Sequence, residues 1–244
     1  MSQETAIANF KKFQQSWIEQ LKHSLSHLRS AQNHHRNSTT GEEELLRAAV
    51  ERVMELCREY HRAKCAVTEK DVIGVLAAPW SSALERSLHW VGGWRPTTLF
   101  HLVYTESSIL FESRIVDILR GFRTGDLSDL SPSQFRIKFV KGRTVSELQC
   151  ETVKEENAIT EELSEWQDDA SELVMGTSSD LDQRIRRLAE IVHRADDLRL
   201  RTIIGVVELL SPLQKAEFLV AAVELRTGVS GWGTSHDRRR SADV

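Results

Sequence analysis

Cysteine is scarce in these 244 residues: Cys57, Cys65 and Cys150 form an odd set with no CxxC pair. That argues against a disulfide framework or a cysteine-built zinc knuckle, and it suits a reducing compartment. No uninterrupted apolar run approaches the roughly 20 residues that a membrane span requires. The opening MSQETAIANF carries a glutamate and no apolar stretch, so no secretory signal is expected there. Asn37-Ser38-Thr39 matches a glycosylation sequon, which without export is read as chance. A soluble, intracellular chain without membrane contact is the expectation. A strong basic surplus is missing too. The net charge is −4 with both signs mixed, so the chain as a whole does not favour nucleic acid.

Catalytic signatures are equally sparse. There is no GxSxG elbow, no HExxH helix, and no cysteine in a nucleophile signature. Gly228, Gly231 and Gly233 match neither GxGxxG nor a phosphate-binding P-loop. Paired glutamates such as Glu155-Glu156 and Glu161-Glu162 fit a solvated helix face better than acid–base work. The chain reads as non-enzymatic, with no catalytic, cofactor-binding or metal-binding residues expected. Strand signals, meaning β-branched alternation bounded by Asn-Gly or Asp-Gly turns, are absent as well.

What remains is helical periodicity, and the expected fold is all-α: a single-domain bundle with two or three long antiparallel helices. The four prolines, Pro79, Pro96, Pro132 and Pro212, each stand ahead of a helical apolar pattern, where a missing N–H costs least. Ser131-Pro-Ser-Gln134 and Ser211-Pro-Leu-Gln214 match the capping box. Phe10, Gln14, Trp17, Leu21, Leu25 and Leu28 share one side of a first helix. A polar linker at 33–42 follows, then a second helix over about 43–67 with Leu46, Val50, Val53 and Cys57 inward. Further helices are expected over about 80–91, from Pro96 through Tyr104 and on over 109–119, and over 132–173 with a bend at Gly142; Gly121 and Gly125 mark a loop. A regular seam follows: Leu181, Ile185, Leu188, Val192, Ala195, Thr202, Val206 and Leu209, interrupted by Arg199. Asp180/Arg184, Asp182/Arg186, Glu190/Arg194 and Asp197/Arg201 are acid-before-base pairs on its outer face. The last helix is expected to run from Pro212 to about Val229 and to stop at the glycines beyond. This gives an N-terminal tail over 1–9, a helical domain over 10–235 and a basic tail over 236–244. The seam permits a homo-oligomer as readily as intramolecular packing.

The histidines are weighed singly. His23 and His27, with His34 nearby, lie opposite the Trp17/Leu21/Leu28 stripe and face solvent. They lack the closed shell of a structural zinc site. His89 and His101 adjoin Trp90 and Phe100 and read as satisfied interface histidines; His61, His193 and His236 stand alone. Arg238-Arg239-Arg240 offers only a small electrostatic footprint for phosphate, so direct nucleic-acid binding by this chain alone is not expected.

One stretch departs from the helical pattern: LHWVGGWRPTTLFHLVY, residues 88–104. Trp90 and Trp94 flank Gly92-Gly93, and Arg95-Pro96 follows. Glycine adopts positive φ without steric cost, so a helix ending at Val91 can stop and turn here, with Pro96 fixing the next start. Arg95 can stack on an indole or satisfy carbonyls at the helix end. If Gly93 has positive φ, valine there is destabilising. A packed corner is the plainer reading; a ligand loop is the sharper one.

The segment SALERSLHWVGGWRPTTLFHLVY (82–104) resembles the signature of the plant Delay of Germination domain, shared with TGA-type bZIP transcription factors. FQQSWIEQLKHSLSHL (13–28), LSDLSPSQF (127–135) with EENAITEELSEWQ (155–167), and residues 195–233, ending in Trp232-Gly233, agree in order. The structural signature on this resemblance is Trp90, Gly92, Gly93, Trp94, Arg95, Pro96, Trp232 and Gly233. With no bZIP segment ahead of the domain, the chain looks like a stand-alone member. The resemblance implies a non-enzymatic regulator of dormancy, abscisic acid response or transcription in the nucleus or cytoplasm. The implied partners are regulatory proteins: type 2C protein phosphatases or bZIP-type factors. Sequence-specific DNA binding is a property of the TGA relatives. The implied contact segment is 12–20, with Phe13, Trp17 and Gln20 as partner-binding candidates; the plainer alternative is that Trp17 fills its own core. Haem is associated with the dormancy protein through a His pair, but Arg226 and Ser230 stand at those positions here, so no cofactor is expected. The competing reading is a small-molecule sensor, for a lipid or haem-like ligand, with a pocket between the aromatic corner and the long helices.

Overall fold

Hydrophobic stripes at helical spacing can be buried only against one another, and the computed structural model shows how they close. It describes residues 3–37, 43–104, 144–168 and 178–242. The elements are α1 (Gln3–Asn37), α2 (Glu43–Thr68), α3 (Val72–Ala77), α4 (Ala83–Ser87), a helical segment over 98–104, α5 (Val145–Asp168), α6 (Ser178–Leu209) and α7 (Pro212–Ala242). The fold is all-α, with no strand among the described residues. No helix among them is long and apolar enough to cross a membrane. Expectations for 105–143, including the 109–119 helix, the Ser131 capping box and the Gly142 bend, lie outside the described residues, as does the stretch expected to extend α5 to 173.

Helix α1 packs on α2 and α7, α5 on α6, and α2 on α6 and α7. Two apolar clusters result. One gathers Trp17, Leu21 and Leu28 of α1, Leu46 to Leu56 of α2, Phe100, and Phe218, Leu219 and Val223 of α7. The other gathers Phe10, Val67, Val75 and Val91 with Ile159 of α5 and Leu188 to Leu198 of α6. Tyr60 and Phe13 pack against both. Along α2 and α6 alike, one half of the stripe feeds each cluster; Lys64 and Arg199 stand near the changeovers, with Asp196 one turn before Arg199. The seam holds from Leu188 to Leu209, while Leu181 at its start is 45% exposed. Its outer charges reach across to neighbouring elements: Arg194 to Glu162, Arg201 to Glu155, and Asp197 to His61.

Four boundaries differ from the sequence reading. First, the helix expected over 80–91 is confined to α4 at 83–87, and a further short helix not expected from the sequence, α3, precedes it at 72–77. Asp71 caps α3 by accepting from Gly74 N at 2.8 Å. Ala78, in left-handed conformation at φ 46°, ends it. Ser82 then opens α4 with a complete capping box, its hydroxyl accepting from Glu85 N while Glu85 Oε2 accepts from Ser82 N at 3.0 Å. Second, α1 takes in residues 3–9 of the segment expected as a tail, because Ala6 is buried and Ile7 lies against Gly74 of α3. It also runs five residues into the expected linker, to Asn37. Third, α5 is opened by Thr144, which forms a capping box with Glu147.

Fourth, α7 does not stop at its glycines but runs to Ala242. A helical glycine costs only about 1 kcal/mol, and here the extension makes contacts that offset it. Asp237 Oδ2 accepts from Ala83 N at 2.9 Å, capping α4. Gly233 lies so close to α4 that a Cβ there would stand 2.1 Å from Ser82 Oγ. Gly228 and Gly231 face open space. At the helix start, Gln214 Oε1 accepts from Ser211 N at 3.0 Å, half of the predicted capping box. Replacing Gly233 with Ala should destabilise the fold by about 1–3 kcal/mol through overpacking, whereas Gly231→Ala should stabilise it by about 0.5–1 kcal/mol. Urea unfolding of the two variants checks the opposite signs.

Candidate functional site

The corner is built from a turn that pairs two of its own carbonyls and leaves those of Val91, Gly92 and Trp94 to side chains. Trp90 N donates to Gly93 O at 2.6 Å and Gly93 N to Trp90 O at 3.2 Å. Between them Val91 and Gly92 have φ of 47° and 70°. Positive φ at both central positions is the pattern of a type I′ turn. Gly92 accepts it freely; Val91, β-branched, is strained. The turn is thus centred one residue earlier than Gly92-Gly93, and the preceding helix ends at Ser87 rather than Val91. Gly93 is required for another reason. A Cβ there would approach Arg199 Cζ to 2.9 Å.

Two basic side chains satisfy that turn. Arg199 donates through Nε to Trp94 O at 2.7 Å and through Nη2 to Val91 O at 3.1 Å and to Trp90 O. Lys64 Nζ donates to Gly92 O at 2.8 Å. Both cations are held by one carboxylate: Asp196 Oδ1 accepts from Lys64 at 2.8 Å and from Arg199 Nη1 at 2.5 Å. The side chains of Lys64 and Asp196 are only 2% and 5% exposed. Burial by itself would raise the Asp196 pKa, but the Lys64 and Arg199 charges outweigh it and hold the carboxyl below its ordinary value.

The aromatic rings close over this knot. The Arg95 and Arg199 guanidiniums lie 5.5 and 5.4 Å from the Trp90 ring centre, so the expected indole stacking of Arg95 is present. Trp90 Nε1 donates to Thr160 Oγ1 at 2.9 Å, tying the corner to α5. Glu156 of α5 accepts from Thr97 N at 2.7 Å and so caps the start of the 98–104 segment. Pro96 stands just before that cap. At the other side, buried Glu85 pairs with Arg226 of α7.

Beneath the corner lies a cavity of about 240 Å³. Its lining combines apolar side chains, Trp17, Leu21, Val53, Leu102, Ile203 and Val223 among them, with the polar ones of Lys64, His89, Trp94, Asp196, Arg199 and Arg226, together termed its polar end. Three buried polar atoms of that end have no hydrogen-bond partner: His89 Nδ1, Trp94 Nε1 and Asp196 Oδ2. Burial, and then the charges of Lys64, Arg226 and Arg199, push the His89 pKa down to about 4.

The other candidates are dispersed. Trp17 is buried, and its Nε1 donates to Leu56 O at 2.7 Å, so this aromatic anchors α1 to α2 within the chain. Phe13 is half-buried between the two clusters. Gln20 lies on the surface, accepting from Arg52 at 2.8 Å. Trp232 is 70% exposed, whereas its neighbour Gly233 is packed. Arg226, at one haem-ligand position of the resemblance, is committed to Glu85, so the residues present do not fit that group. His23 and His27 are exposed with their Nε2 atoms 2.9 Å apart. No three His, Cys, Asp or Glu side chains among the described residues are grouped to hold a metal. Burial pushes the Cys57 thiol up to about 12 and the Cys65 thiol to about 11, away from thiolate chemistry.

Comparison with known proteins agrees with this corner. A family model for seed dormancy control, DOG1, matches residues 24–105, which contain Lys64 and the whole Trp90–Pro96 turn. Protein DOG1-like 4 of Arabidopsis thaliana is 28% identical over 92% of this chain and 91% of its own length. The chain thus carries a DOG1 domain match and is similar along most of its length to DOG1-like proteins. Protein DOG1-like 3 of the same plant is 23% identical over 91% of this chain and 82% of that protein. The chain is also similar to a transcription factor: Transcription factor TGA1 of Arabidopsis thaliana is 25% identical over 94% of this chain and 58% of its own length.

His89 gives the corner a measurable consequence. Its folded pKa lies below the ordinary 6.5, so the unfolded chain binds the proton first as pH falls. Stability should decline from about pH 6.5 to about pH 4 on account of this group and level off below. Denaturant midpoints across that range should fall less steeply in His89→Phe than in wild type; equal slopes would show that His89 does not titrate as its surroundings imply.

Proposed function

We propose that this chain is a non-enzymatic interaction module, in nucleus or cytoplasm, that regulates dormancy, abscisic acid response or transcription. It acts by binding signalling or transcription partners, type 2C protein phosphatases and bZIP-type factors foremost. The observation that carries this reading is the similarity, over more than nine-tenths of the chain, both to DOG1-like proteins and to a TGA transcription factor.

The helical architecture supports it. With Trp17 buried and Phe13 half-buried, Gln20 is the candidate of the three that offers a partner exposed surface, together with Lys12, Gln15 and Ser16 on the same helix. A partner helix or groove meets that face through polar contacts, flanking an anchor already fixed in the core. Because Gln20 and Lys12 are exposed, changing both to Glu should leave the melting temperature within a degree or two. It should reduce recovery of a type 2C phosphatase or bZIP factor from plant extract several-fold. If folded wild-type chain enriches neither class over an unfolded control, the reading fails; if the double variant recovers them equally, the α1 face is not the contact.

A second reading, sensing of a small molecule, is favoured by one observation: the cavity whose polar end leaves three buried atoms unsatisfied.

A further inference from the structure

The ligand's chemistry is legible in the wall of that cavity, and the inference rests on the second reading above. Four cations line it, Lys64, Arg95, Arg199 and Arg226, against one carboxylate, Asp196. The other carboxylates that pair with these cations are Glu85 with Arg226 and Glu156, 3.9 Å from Arg95. Four positive and three negative charges leave one positive charge over, at the edge of an apolar cavity. The turn carbonyls offset this surplus only as dipoles, and a matching anion neutralises it outright.

Donors point the same way. Trp94 Nε1 is buried and donates to nothing. Lys64 carries three N–H donors, of which Gly92 O and Asp196 Oδ1 take two. Asp196 Oδ2 is also without a partner, but its carboxylate already receives two charge-assisted bonds at Oδ1. The turn that holds the strained Val91 reaches the same space through Gly92 and Gly93, and strain of this kind collects at ligand sites. The volume, about 240 Å³, exceeds the ~150 Å³ of a cavity that admits benzene. It suits a molecule of about ten to fifteen non-hydrogen atoms.

We propose that this cavity binds a small apolar monocarboxylate, its carboxylate held at the Lys64–Arg199–Trp94 end and its hydrocarbon body against Leu21, Val53, Leu102 and Ile203. A neutral molecule of the same shape fills the apolar wall but leaves the surplus charge unpaired. A dianion reverses the imbalance. A long-chain acid exceeds the space. Binding takes no covalent step.

Calorimetric titration of the full chain with 2-naphthoate and, in parallel, the isosteric 2-naphthamide tests the assignment. Naphthoate should bind with 1:1 stoichiometry at least tenfold more tightly than the amide. The amide binding as well or better shows that Asp196 Oδ2 governs the head, which overturns the monocarboxylate while leaving a ligand cavity in place. Neither probe binding overturns both the class and the sensing reading. Ala222, in the cavity wall, supplies the localising variant: Ala222→Phe fills the space and should weaken naphthoate at least tenfold with an undiminished melting temperature. A folded Ala222→Phe protein that binds naphthoate like wild type places the site elsewhere and overturns the assignment. Should that variant not fold, the acid–amide comparison on wild type decides by itself.

Discussion

The fold depends on a charged knot at the junction of two apolar clusters. Asp196 holds Lys64 and Arg199 together, and these two cations satisfy the carbonyls of Trp90, Val91, Gly92 and Trp94. Without them, a turn with a strained valine at its centre would leave three acceptors, the Val91, Gly92 and Trp94 carbonyls, unpaired. Without the turn, two cations would be buried with one carboxylate between them. Each half makes the other tolerable. Replacing such a pair by apolar residues often leaves stability unchanged, but removing one partner costs about 3–5 kcal/mol. The knot therefore specifies where the corner goes more than it adds to stability.

That placement organises the rest. The corner pins α2 to α6 through Lys64 and Asp196, and reaches α5 through Trp90 and Thr160. Glu156 on the same face of α5 starts the 98–104 segment. On the far side, α4 is capped twice, by Ser82 and by Asp237 of α7, and Glu85 joins it to Arg226. Side chains from five elements thus converge on a space that the apolar clusters leave open. The same constraint that fixes the turn accounts for the polar end of the cavity.

Much of this was legible in the sequence. The all-α class, the buried stripe of α1 and the span of α2 followed from the 3.6-residue period, and the corner stood out because tryptophan and glycine adjoin there. Arg199 was visible as a break in the seam of α6, yet its role was not, because its targets are carbonyls more than a hundred residues away. Lys64 and Asp196 were missed altogether. A charged residue on a helical stripe gives no local signal until its partner on another helix is known. The glycines of α7 misled for a similar reason, since Gly233 answers to Ser82 on another element and not to its own helix end. The late start of α4 had a local signal in Ser82 and Glu85, a capping box three residues apart that the apolar pattern around it obscured. Trp17 shows the converse: an aromatic that looks like a partner's anchor is needed at home, by the carbonyl of Leu56.

The claim at the centre is that Arg199 holds the corner in place. Native-state hydrogen exchange at the Trp90 and Gly93 amides, compared between wild type and Arg199→Met, tests it most directly. Exchange of both amides accelerated at least a hundredfold, before α1 and α2 open, is the predicted result. Unchanged protection of those two amides in the folded variant would contradict the account.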